Sequence, residues 1–129
     1  MDTYRPEVRS IDYSEASKTF LIGTRGAEIF EVSAQGKIIG TLVSGHSSNT
    51  SKSQLSGVAC HPTEQLFATC GSDRKIKLWT ENSMKLQSGK EFTCEIYSID
   101  WSPCGKFLIA GNEQGYIHSV NASNLTIVD

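Results

Sequence analysis

Gly71-Ser72-Asp73-Arg74-Lys75-Ile76-Lys77-Leu78-Trp79 decides how this chain is read. A Gly/Ser/Asp turn feeds a strand in which apolar and polar residues alternate up to a tryptophan. Just upstream, Leu66-Phe67-Ala68-Thr69 is apolar on both faces, as a strand covered on both sides must be. Before that comes a turn, His61-Pro62-Thr63-Glu64, where proline stops strand pairing, and before the turn another short strand at 57–60. The unit is therefore strand, turn, strand, tight turn, strand. A Gly45-His46 pair precedes it.

The same unit recurs on either side. Residues 8–32, 55–79 and 96–120 align without a gap. Ile11, Val58 and Ile99 share one column, and Ile29, Ile76 and Ile117 share another. Ser14, His61 and Ser102 share the turn, and Val32, Trp79 and Val120 close the units. The steps are 47 residues from Ile11 to Val58 and 41 from Val58 to Ile99. That is close to the ~40–45 residues of a four-stranded propeller blade. A fourth, outer strand is expected at 37–43, 85–88 and 125–128. The fold class predicted is all-β, three consecutive blades of an incomplete propeller ring at about 8–43, 55–88 and 96–128, within one partial domain, 1–129. Propellers close with about four to eight blades. Three leave two apolar flanks and unpaired strand edges, so the remaining blades are expected from the same parent protein or from another chain.

Composition excludes several functions. Twelve Lys and Arg against fourteen Asp and Glu give a net charge of −2, which is not the basic footprint of a nucleic-acid binder. No apolar run reaches the ~20 residues that span a bilayer, and the polar start at Met1 lacks a signal-peptide core. The setting expected is the cytoplasm. Cys60, Cys70, Cys94 and Cys104 form no C-x-x-C pair, so they read as reduced packing or turn residues and not as a metal site. No phosphate loop, paired-carboxylate motif or metal-ligand spacing is present, and no cofactor, metal or catalytic residue is predicted. His118, alone on an alternating strand, reads as structural, and His61 reads as a turn residue. The stretch 44–54 is polar and reads as a solvated loop.

The middle unit resembles the WD-repeat family. Gly45-His46 stands at the family's Gly-His pair, Thr69 at its Ser/Thr strand position, Asp73 in the tight turn and Trp79 at the Trp of Trp-Asp, with Thr80 in place of the Asp. The resemblance implies a buried hydrogen-bond chain: Trp79 to Thr69, Thr69 to His46, His46 to Asp73. The flanking units carry Val32 and Val120 at the Trp position and lack the Gly-His pair, so they lack that chain. A finer resemblance runs through residues 21–32, Gln54-Leu55-Ser56-Gly57-Val58-Ala59-Cys60-His61-Pro62 and Ile109-Ala110-Gly111-Asn112-Glu113-Gln114-Gly115. These segments are similar, in the same order, to blades of the echinoderm microtubule-associated protein-like family. That likeness implies a non-catalytic module that binds tubulin or microtubules in the cytoskeleton, including that of the cilium and axoneme. A generic WD-repeat scaffold of another multiprotein complex is the alternative. The end carrying the Gly-His loop and the tight turns offers Arg25, Lys52, Arg74 and Lys75 as partner-binding cations, suited to an acidic protein surface.

Overall fold

A computed structural model describes residues 7–25, 28–42, 55–81 and 85–128 of the chain. Among them there is no helix; all regular structure is antiparallel β. The first sheet is β1 (Val8–Ser14), β2 (Thr19–Thr24), β3 (Ile29–Val32) and β4 (Ile38–Leu42), in sequence order. The second is β5 (Leu55–Cys60), β6 (Leu66–Gly71), β7 (Lys75–Thr80) and β8 (Lys85–Glu91). The third has β9 (Ile96–Trp101), β10 (Phe107–Asn112) and β11 (Ile117–Asn121). Two of the three outer strands expected from the sequence are present. Of the one expected at 125–128, the described residues form a single antiparallel bridge, Ile127 to Val120, flanked by Asn121 N to Thr126 O (2.8 Å) and Val128 N to Ser119 O (2.7 Å). The turn that returns the chain to β11 is fixed by Asn121, which caps Ser123, by Asn124, which caps Thr126, and by Leu125 at φ +56.

Each innermost strand carries a register shift at the same place, between Val8 and Ser10, between Leu55 and Gly57, and opposite Gly111/Asn112 in the third sheet. Bulges there keep alternation in phase from sheet to sheet. Side chains of β5 then divide between two neighbours. Val58 and Cys60 join Leu21 and Ile29 of the first sheet, with Leu55, Phe67 and Trp79, in one buried cluster. Ala59 joins Ala68, Cys70 and Ile76 with Ile96, Trp101, Leu108 and Val120 in a second. The Val, Leu, Ile and Phe side chains among them contribute ~1.5–3 kcal/mol each when fully buried. The hydrophobic core is therefore two layers between three sheets. Gly23 marks how closely the first two approach: a Cβ there would meet Leu55 Cδ2 at 2.3 Å and Val58 Cγ2 at 2.8 Å.

An innermost strand is also a sheet edge, and its outward N–H groups need acceptors. The first sheet supplies them to the second. Ser10 Oγ accepts from Val58 N (2.9 Å), and Asp12 Oδ2 accepts from Cys60 N (2.7 Å). At the far end, Glu81 is buried and its Oε2 accepts from Ser14 Oγ (2.9 Å) and from Ser17 Oγ. Between the second and third sheets, Trp101 Nε1 donates to Ala59 O (2.9 Å) and Ser56 Oγ to Ile96 O. His61 does more than turn the chain. Its Nδ1 accepts from Thr63 N (3.1 Å) and Glu64 N (2.9 Å), so Nε2 carries the proton and reaches Gly105 O (3.2 Å). Gly105, at φ +74, has to be glycine: a Cβ would lie 2.4 Å from His61 Nε2.

Candidate interaction face

The turns divide between the two ends of the sheets. One end gathers the β2–β3, β6–β7 and β10–β11 turns; the other gathers the first hairpin turn of each sheet. Of the predicted partner-binding residues, Arg25, Arg74 and Lys75 belong to the first end.

The β6–β7 turn is fixed by backbone and side-chain bonds. Arg74 N donates to Gly71 O (3.2 Å), Lys75 N to Asp73 Oδ1 (3.1 Å) and Phe92 N to Arg74 O (2.6 Å). Arg74 adopts φ +66, a left-handed conformation for which the third sheet uses Gly115 (φ +86) at the equivalent place. Behind the turn, Trp79 Nε1 donates to Thr69 Oγ1 at 2.9 Å, and both are buried. That is the first link of the implied hydrogen-bond chain. His46 lies outside the described residues, so the links through it do too. Asp73 also pairs with Lys77 (3.9 Å), and burial pulls the Lys77 ammonium below its ordinary pKa, with Asp73 opposing the shift.

Turn geometry thus separates the four predicted cations. Arg74 is exposed and Lys75 half-exposed, and among the described residues neither side chain is held in an ion pair. Arg25 is exposed but paired: its Nη1 lies 3.3 Å from Glu7 Oε2. Lys52 lies outside the described residues. A cleft of about 410 Å³ opens beside the turns, lined by Arg9, Leu55, Ser56, Ser72, Glu95 and Tyr97. Arg9, Ser56 and Tyr97 are the residues skipped by the three register shifts, so the bulges aim one side chain from each sheet at a common mouth. Sequence reading missed Arg9 and Tyr97, although their shared column was visible in the alignment.

At the opposite end a larger groove of about 610 Å³ lies between the second and third sheets, bordered by His61, Leu78, Trp101 and Phe107. Both of its aromatic nitrogen heterocycles are committed to backbone: the His61 nitrogens bond to Thr63, Glu64 and Gly105, and the Trp101 indole bonds to Ala59. His118 is half-buried against Asn112 (3.3 Å) and the Phe92 ring. Among the described residues no three of His, Cys, Asp and Glu cluster as a metal site would.

The thiols differ sharply. Burial raises the Cys60 pKa well above the ordinary range and pushes Cys70 up to about 12. Cys94 is buried as well. Cys104 is exposed, and its contact with the Ser102 hydroxyl lowers its pKa. Thiolate is the reactive form. A brief pulse of iodoacetamide at neutral pH should therefore label Cys104 alone in the native protein, and all four cysteines in urea. Peptide mapping by mass spectrometry checks this; native labelling of Cys60 or Cys70 at the rate of Cys104 would contradict the packing described above.

Residues 36–80 and 84–119 match the family model described as WD domain, G-beta repeat. Over 96 residues, 74% of the chain, it is 30% identical to the 77 kDa echinoderm microtubule-associated protein of Strongylocentrotus purpuratus, covering 13% of that protein. It is 31% identical over 75 residues to the probable cytosolic iron-sulfur protein assembly protein Ciao1 of Culex quinquefasciatus, covering 54% of this chain and 21% of that one. With cilia- and flagella-associated protein 57 of Mus musculus the figures are 31% over 64 residues, 50% of this chain and 5% of that one. The chain thus spans between 5% and 21% of the length of these relatives.

Proposed function

We propose a function from one premise: this chain belongs to the WD-domain, G-beta repeat family. It is a non-catalytic interaction module that binds tubulin or microtubules, in the cytoplasm and cytoskeleton, including the cilium and axoneme. The observation that carries the reading is the match to an echinoderm microtubule-associated protein across 74% of the chain. The geometry supports it through Arg74 and Lys75, two cations on a rigid turn available to an acidic protein surface. The Thr69 hydroxyl is buried and bonded to Trp79, a structural use. No nucleic acid, membrane or cofactor enters the proposal.

The test is co-pelleting with taxol-stabilised microtubules. The protein should pellet, less so as salt rises, because exposed charge pairs are screened. Exposed pairs are worth ~0.2–1 kcal/mol each, and reversing two of them in R74E/K75E should weaken binding about tenfold. Failure to pellet at low salt, or pelleting indifferent to R74E/K75E, counts against this reading. A second reading, a scaffold of another multiprotein complex, is favoured by the match to an iron-sulfur assembly protein, and it would stand if pelleting failed.

A further inference from the structure

The two junctions inside the chain differ at the end away from the β6–β7 turn. Between the first and second sheets the chain fills the space itself. Glu81, just past β7, is buried there, and its Oε2 accepts from Ser14 Oγ and Ser17 Oγ at the β1–β2 turn. In the third sheet the column of Glu81 holds Ala122. The backbone bears out the match: Glu81 N donates to Gln65 O and Ala122 N to Lys106 O, each at 3.0 Å. In the second sheet the columns of Ser14 and Ser17 hold His61 and Glu64. Ala122, His61 and Glu64 all line the groove of about 610 Å³ between the second and third sheets. A methyl group thus stands where the first junction has a whole carboxylate side chain. The opening comes from the residues in these columns. Both walls belong to this chain, so the groove does not depend on what adjoins the outer flanks of the first and third sheets.

Leu66, Leu78, Trp101 and Phe107 give the groove apolar walls. Its two lips carry opposite charges. On the β5–β6 turn stands Glu64, with its side chain 67% exposed; on the β9–β10 turn stands Lys106, also exposed. Lys106 is in no ion pair among the described residues. Glu64 comes no nearer than 3.9 Å to His61 Nε2, a nitrogen already bonded to Gly105 O. We propose that the groove docks a short extended segment of a partner protein. One large apolar side chain of the segment sits between the walls. A basic and an acidic residue, two positions to either side of it, meet Glu64 and Lys106. The spacing of two follows from an extended chain, in which alternate side chains share a face. Pockets that hold a small ligand span ~300–1,000 Å³, so there is room for one such side chain. The apolar side chain supplies affinity. The lips supply selection, because a segment charged with one sign only meets a like charge at one of them. The groove lies at the end opposite Arg74 and Lys75, so the inference does not rest on what those cations bind.

Peptide titration of the isotope-labelled chain, followed by NMR, tests this. The probe is the acetylated, amidated pentapeptide Lys-Ser-Leu-Ser-Glu. Controls carry Ala in place of Leu, or Lys at both ends, or Glu at both ends. At millimolar concentration the probe should saturably shift the Trp101 indole N–H and the amides of Lys106, Phe107 and Ala122. Each control should bind more weakly by about fivefold, as should the probe to E64K or K106E, since each change removes an attraction or sets like charges together. Both variants are at exposed turn positions. A122M fills the groove from within and should abolish binding, with far-UV circular dichroism checking that it is folded. R74E/K75E should bind the probe as the wild type does, which separates this site from the microtubule contact. The absence of any saturable shift overturns the inference. So do shifts centred away from the groove, a control with one sign of charge that binds as well as the probe, or unchanged binding in E64K and K106E. A loss of binding in R74E/K75E overturns it as well, because it places the contact at the other end.

Discussion

Trp79→Ala is expected to cost about 3–5 kcal/mol, the usual range for truncating a buried tryptophan. Three contacts go at once. The ring lies stacked on Phe67 (centroids 6.2 Å apart, planes 10° apart) and fills the layer between the first two sheets with Leu21, Ile29 and Val58. Its N–H is the donor to Thr69 Oγ1, a hydroxyl with no exposure to water. Truncation opens a cavity and removes a partner from a buried polar group, and the two costs add. Trp79→Phe separates them: it keeps most of the volume and loses the N–H, at ~1–2 kcal/mol. Urea unfolding gives the free energies, and a double-mutant cycle with Thr69→Val isolates the hydrogen bond. A Trp79→Ala midpoint close to the wild-type one would show that this tryptophan does not pin the blade.

That prediction could nearly be written from the sequence. The columns of the repeat and the strands of the first two units were legible because each depends on residues within one unit, and the Trp79–Thr69 pairing was implied by the WD-repeat resemblance. What the sequence hid depends on neighbours between units. Ile29, Ile76 and Ile117 look identical in the alignment, yet the first two are buried and the third is 68% exposed, because no sheet among the described residues packs on that face of the third. His61 read as a turn residue because its partner, Gly105 O, lies 44 residues away. Arg25 read as a free cation because the carboxylate beside it, Glu7, belongs to another strand end. The buried Glu81 reaches back to Ser14 and Ser17, which no local pattern announces. One signal was available and passed over. Ser10 and Asp12 recur as Ser98 and Asp100 in the same columns, and a polar pair repeated on an innermost strand marks acceptors for the edge of the next sheet.

Trp101→Ala should be as costly as Trp79→Ala, about 3–5 kcal/mol, but it should fail in a different place. Trp101 ends β9 and belongs to the junction between the second and third sheets. Its indole N–H donates to Ala59 O across that junction, and its ring meets the His61 ring edge-on with centroids 4.6 Å apart. Both contacts bind one sheet to another, whereas the Trp79 hydrogen bond closes within a single sheet. Truncating Trp101 also widens the groove it borders, so water enters beside Leu78 and leaves the Ala59 carbonyl to be solvated in a poor position. The third sheet is then held to the second by Ile96, Leu108 and Val120 in the shared core and by the Ser56 and His61 hydrogen bonds to Ile96 O and Gly105 O. Hydrogen exchange distinguishes the two variants. In Trp101→Ala, the amides of β9, β10 and β11 should lose protection well before those of β1 to β4. In Trp79→Ala, the loss should centre on the first two sheets. Equal loss of protection throughout in both variants would mean that the three sheets unfold as one unit and that the junctions carry no separate stability.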